Sequence, residues 1–219
     1  MRKIKLSLSI ALAVSVFLSG TVSAASITNG TFDTGLSNWS DASGIGSVAY
    51  NAVTQSAELL GGQDFSPIKA AVLVQGDDGT FSFSNPLLLT PGNDLLKFDA
   101  NFSQVGVDAL ETGSGFDDSF QVWMYDANNP TGLSDANLLD LSMVSFLGSQ
   151  SFSLDISSFA GQSVAFSFEL GDENDGFNYR AAIDNIRMES RPPVSNLPLP
   201  NTLLLVLIGM AGMFYRSRT

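Results

Sequence analysis

The stretch that decides the fold is Asp94-Leu95-Leu96-Lys97-Phe98-Asp99-Ala100-Asn101-Phe102-Ser103-Gln104. Leu96, Phe98, Ala100 and Phe102 fall on one side of an extended chain, and Lys97, Asp99, Asn101 and Ser103 on the other, because successive side chains of a strand point to opposite faces. Such alternation predicts an antiparallel strand with one face in a core and one in water. The same pattern returns in Val164, Phe166 and Phe168 against Ser163, Ala165, Ser167 and Glu169, and in Phe152, Leu154 and Ile156. Further strands are expected at Gly46 to Asn51, Ser56 to Leu60, Ile68 to Gln75, Thr80 to Ser84, Leu87 to Thr90 and Ser119 to Asp126. Turn formers separate them: Gly61-Gly62, Asp77-Asp78-Gly79, Pro91-Gly92-Asn93, Asn128-Asn129-Pro130 and Asp175-Gly176. Only Asn137 to Val144 has a pattern compatible with a helical turn. Strands with one polar face bury the other most economically against a second sheet, so the fold class is all-β, an antiparallel β-sandwich.

Working outward, residues 1–24 read as a secretory signal: Arg2, Lys3 and Lys5, an apolar core from Leu6 to Leu18, and the small-residue site Val22-Ser23-Ala24. The sandwich domain is expected over 25–190. Beyond it, Pro192, Pro193, Pro198 and Pro200 hold 191–202 extended, since each ring fixes φ and removes an N–H. An apolar run of 13 residues follows, Leu203 to Tyr215. As a helix it would span about 20 Å at ~1.5 Å per residue, or about 28 Å if extended back to Leu197. That is close to the ~30 Å of a bilayer's hydrocarbon core. Arg216 and Arg218, in the basic end 216–219, would stay on the cytoplasmic side and leave the domain outside.

The domain is acidic. All 22 Asp and Glu lie between Asp33 and Glu189, faced there only by Lys69, Lys97, Arg180 and Arg187, a net of −18. So strong a negative field excludes nucleic acid as a partner and suits a saline or Ca²⁺-containing exterior. The chain has neither Cys nor His. Disulfides, thiol chemistry, His-based zinc sites and Ser-His-Asp or Cys-His nucleophilic sites are thereby excluded. A glycoside hydrolase needs only two carboxylates across a cleft, but among so many acids no pair is singled out, and no catalytic motif is present. The expectation is a non-enzyme.

The tail's layout, Leu197-Pro198-Leu199-Pro200-Asn201-Thr202, then the apolar run with Gly209-Met210-Ala211-Gly212, then Arg216 and Arg218, resembles the PEP-CTERM sorting signal. Leu199 stands where that signal's name implies Glu. The resemblance implies recognition by an exosortase and the export machinery in the inner membrane of a Gram-negative bacterium. Delivery would follow to the cell surface or an exopolysaccharide matrix. A plain single-span anchor is the alternative.

The domain opens with Asn29-Gly30-Thr31-Phe32-Asp33…Trp39 and closes with Ile183-Asp184-Asn185-Ile186. These two segments resemble the ends of the galactose-binding-like jelly rolls, which include many carbohydrate-binding modules. The resemblance implies that the first and last strands lie close, and that Asp33 and Asp184 share a structural Ca²⁺; capping or turn hydrogen bonds are the alternative role. Two carboxylates forced together require a cation or a proton. The acidic clusters Asp77-Asp78, Asp117-Asp118 and Asp172-Glu173-Asn174-Asp175-Gly176 read as solvated turns, with loop Ca²⁺ sites as the alternative; the last lacks the spacing and closing Glu of an EF-hand loop. Gln121, Trp123 and Tyr125 share one face of a strand. Exposed, they form an aromatic platform for sugar rings; in a strand buried on both faces, they are core. The leading expectation is an exported, non-catalytic matrix protein, with a lectin-like carbohydrate-binding module as the alternative and a hydrolase last.

Overall fold

The computed structural model describes residues 26–44, 46–61, 70–76, 86–107, 118–128, 136–143, 146–172 and 177–192. The expected leader, the stretch Thr80 to Ser84, most of the acidic clusters, and the tail from 193 onward lie outside the described residues. So do Pro198, Leu199, Pro200, Asn201, Thr202, Arg216 and Arg218. No helix among the described residues is long and apolar enough to cross a membrane.

Eleven strands are described: β1 Trp39–Asp41, β2 Ser47–Asn51, β3 Ser56–Leu60, β4 Ala70–Gln75, β5 Leu87–Leu88, β6 Leu95–Val107, β7 Ser119–Asp126, β8 Ala136–Ser142, β9 Gly148–Asp155, β10 Ser163–Gly171 and β11 Phe177–Glu189. They form two antiparallel sheets. Sheet A runs β1-β4-β10-β7-β8, with β5 pairing β10 beside β4; sheet B runs β2-β3-β11-β6-β9. The expected all-β antiparallel sandwich is therefore the architecture found.

Alternation explains the core. Leu96, Phe98, Ala100 and Phe102 of β6 are buried, as are Phe120, Val122 and Met124 of β7 and Val164, Phe166 and Phe168 of β10. Phe98 joins the two sheets: its ring stacks on Phe152 at 4.8 Å and meets Phe168 edge-on at 5.1 Å. Full burial of each such side chain contributes about 1.5–3 kcal/mol.

The opening and closing segments do lie together. The Ile186 N–H donates to the Gly30 carbonyl at 2.9 Å. A Cβ on Gly30 would stand 1.9 Å from the Ile186 carbonyl oxygen, so only glycine fits there. Asn29 organises the turn: Nδ2 donates to the Gly35 and Ser37 carbonyls, and Oδ1 accepts from the Thr34 N–H. Phe32 and Trp39 then enter the core, with the Trp39 indole N–H donating to the Asn29 carbonyl at 3.2 Å.

Two expectations are corrected. Asn137 to Val144 makes no helical turn over its first six residues, which belong to strand β8 paired with β7. A register shift at Val122/Trp123 disrupts the strict alternation there, which is why Leu138, Leu139 and Leu141 all pack on the core. Asp118 and Asp172, expected in solvated turns, are buried, at 1% and 5% exposure. They flank the Ser119–Gly171 pair that ends the β7–β10 ladder, Asp118 just before Ser119 and Asp172 just after Gly171. The Asp172 carboxylate lies 3.0 Å from where a Gly61 Cβ would stand.

Candidate functional site

Strand β7 splits cleanly by face. Phe120, Val122 and Met124 are buried, whereas Gln121, Trp123 and Tyr125 are half-buried on the outer face of sheet A. The strand is thus not buried on both sides. Across the ladder, Gln121 pairs with Glu169, Trp123 with Ser167 and Tyr125 with Ala165, so both aromatics face small residues on β10. The register shift against β8 falls between Val122 and Trp123 and leaves Leu138 of β8 as the extra residue, while Trp123 keeps its place in the β7 alternation.

Polar atoms fix this surface. The Trp123 indole N–H donates to Gln121 Oε1 at 2.9 Å. The Tyr125 hydroxyl donates to Glu169 Oε1 at 2.9 Å, and the buried Ser167 hydroxyl donates to the same oxygen at 2.7 Å. Both aromatic tips are thereby tied to acceptors, which restricts the rings to one orientation before any ligand arrives. Two amphipathic rings beside a carboxylate and an amide form a surface suited to the apolar faces and hydroxyl edges of sugars. Glu169 and Ser167 extend the trio named from sequence. Their signal was the outward register of the Ser163 to Glu169 alternation, but which strand they would face was not a local property.

The other named pair lies at sheet B. Asp184 on β11 is directly opposite Asp99 on β6 and feels the charge of Asp33 in the opening turn. Burial raises the Asp184 carboxyl above the usual carboxylate range, and the Asp99 and Asp33 charges add to this, while the Asn185 N–H works against it. Asp99 moves the other way, held low first by the Ser151 hydroxyl and then by the Asn185 amide. Asp33 accepts from the Thr31 hydroxyl at 2.8 Å and from the Gln55 amide at 3.4 Å.

Among the described residues no group of three or more acids is arranged to hold a metal ion. Calcium, however, accepts amide and backbone carbonyl oxygens beside carboxylates. Asp33 and Asp184 would supply carboxylate oxygens to such an ion, whereas Gln55 turns its amide N–H, a donor, toward Asp33. Asp99 escaped notice in the sequence because its place beside Asp184 depends on a register between strands 85 positions apart, written nowhere locally.

No family model matches the chain, and no curated protein matches it. Solved structures do. A carbohydrate-binding module of family 28, specific for non-crystalline cellulose, is 14% identical with a TM-score of 0.48, over 75% of this chain and 95% of that one. The K3 cleaved adhesin domain of Lys-gingipain from Porphyromonas gingivalis w83 is 11% identical with a TM-score of 0.47, over 75% and 99%. The module TmCBM61, solved with β-1,4-galactotriose, is 11% identical with a TM-score of 0.45, over 75% and 97%.

Proposed function

We propose that the chain is an exported, non-catalytic jelly-roll protein that binds polysaccharide on the outer face of sheet A and holds it at the cell surface or in the extracellular matrix. The observation that carries this reading is the half-buried row Gln121, Trp123 and Tyr125, braced by Glu169 and Ser167 and turned away from the core. Stacking of sugar rings on Trp123 and Tyr125 supplies affinity through apolar contact, and Gln121 and Glu169 orient the hydroxyls. The tail supports the place of action. Its Pro-Leu-Pro motif, short apolar run and terminal arginines suit an exosortase substrate, passing through the inner membrane before release to the surface. Within the same reading Asp33 and Asp184 hold a structural Ca²⁺, which offsets the Asp33 and Asp99 charges that add to the raised proton affinity of the half-buried Asp184.

Electrophoresis of the full-length chain in detergent, through gels containing hydroxyethylcellulose, glucomannan or arabinoxylan, tests the binding. Retention is expected in at least one gel. Replacing Trp123 and Tyr125 with Ala should weaken retention by roughly an order of magnitude, as loss of about 1–2 kcal/mol of stacking implies. Free migration of the native protein in every gel would refute the reading.

A further inference from the structure

The outer face of sheet B carries a recess that the aromatic platform does not use. Glu58, Ala182, Asn101 and Ser149 form one continuous cross-strand row over β3, β11, β6 and β9. Ala182 in the middle of that row has no side chain beyond Cβ, so the row dips between Glu58 and Asn101. The result is an open groove of about 590 Å³, walled by these residues, Arg180 and the Asp99–Asp184 pair. Past the Glu58–Arg180 ion pair it meets a second recess of about 330 Å³, which shares those two residues and is lined by Leu60 and Val105. Leu60 and Val105 are 39% and 42% exposed, an aliphatic shelf at one end of a polar trough. Crossing the four strands of this row, the trough is about 14 Å long at ~4.8 Å per strand spacing.

Its polar groups are already set. Asn51 Nδ2 donates to Glu58 Oε1 at 2.7 Å, Asn101 Nδ2 to Ser149 Oγ at 2.8 Å, and Ser151 Oγ to Asp99 Oδ1 at 2.6 Å. Planar amides, carboxylates and a guanidinium held in one register can each bridge adjacent hydroxyls, while the shelf can take the C–H side of a ring. Charge narrows the occupant: three carboxylates face one guanidinium, within a domain of net −18, so an anionic chain is repelled. A peptide is disfavoured as well. The floor strands β3, β11 and β6 are hydrogen-bonded on both sides, leaving no edge for strand addition.

We infer that this trough is a second saccharide-binding surface, taking an uncharged polysaccharide chain, so that one sandwich bridges two chains from opposite faces. The ligand class rests on the proposed polysaccharide reading; the site rests on different residues. The test uses the same gels with full-length protein in detergent, comparing Arg180→Ala, Ala182→Leu, the Trp123/Tyr125 double alanine variant, and the combinations. Melting curves identify any variant that fails to fold; Arg180→Ala alters only a half-exposed side chain and remains informative if Ala182→Leu does not fold. Arg180→Ala and Ala182→Leu should each weaken retention about fivefold, roughly 1 kcal/mol. Residual retention of the platform variant should disappear when either is added, and 0.5 M NaCl should leave it unchanged. Unaltered retention in both groove variants, or complete loss in the platform variant alone, would overturn the second surface while leaving the platform intact. Loss confined to the groove variants would refute the platform and keep the trough. Free migration of the native protein in every gel would reject both.

Discussion

At the residue scale, Gly30 and Asn29 show why the domain opens as it does. Gly30 is needed for proximity rather than for unusual dihedral freedom, since the Ile186 carbonyl occupies the space of its missing Cβ. Gly30→Ala should therefore displace the last strand and cost about 1–3 kcal/mol or more, measurable by chemical denaturation. Asn29, at φ 53°, supplies three hydrogen bonds to its own turn. The Asn-Gly pair was legible as a turn signal, but its partner 156 positions away was visible only through a family resemblance. Asp155 offers a sharper residue test. Its carboxyl lies down at about 2, held first by the Ser157 hydroxyl, then by the Ser157 N–H and by Arg191. An NMR titration should place its midpoint near that value, and Ser157→Ala should bring it back toward 3.8. A midpoint already at 3.8 in the native protein would contradict the geometry. Because this pKa is depressed, any stabilisation from Asp155 is present above the unfolded value and lost as pH falls through the folded one.

At the element scale, legibility followed the alternation. β3 and β7 have the limits read from sequence, and β6 lies where alternation placed it, burying one face and wetting the other; β10 also lies where it was read, but Ala165 and Ser167, expected on a wetted face, are buried as well. β8 was misread because its bulge turns adjacent leucines onto the core, which breaks the period of two on which the reading depends. β9 begins four residues before Phe152, where its hydrophobic pattern starts, since Gly148, Ser149 and Gln150 are exposed and held by backbone pairing to β6 and, at Ser149, by the Asn101 amide. Phe98, at the centre of β6, ties the sheets through Phe152, Phe168 and Phe120. Phe98→Ala should lower unfolding free energy by about 3–5 kcal/mol, through lost transfer energy and the cavity left behind. A loss below 1 kcal/mol in urea denaturation would mean that this strand does not join the two layers as described.

At the scale of the whole molecule, both ends of the domain lie at neighbouring points of β11: Gly30 bonds Ile186, and Arg191 is pinned to Asp94 and Asp155. The charge pattern gives this arrangement a pH and cation dependence. Raised by burial, Asp184 makes the folded state hold more protons than the unfolded one above 3.8, so its contribution to stability falls as pH rises through its folded value. Calcium at Asp33 and Asp184 would reverse that loss. At a hundredfold excess over its Kd it adds about 2.7 kcal/mol. Melting should thus fall on chelation, and the difference should vanish in Asp33→Ala or Asp184→Ala; an unchanged midpoint in chelator would remove the ion from the account.

The most direct test of the polysaccharide platform uses the chain's two tryptophans. Trp39 is in the core and Trp123 is half-buried on the outer face of sheet A, so acrylamide quenching of full-length protein reports mainly on Trp123. With a retaining polysaccharide bound, the quenchable fraction should fall sharply, and Trp123→Phe should abolish that change. Undiminished quenching of Trp123 under saturating polysaccharide would contradict the claim that sugar rings stack on this face.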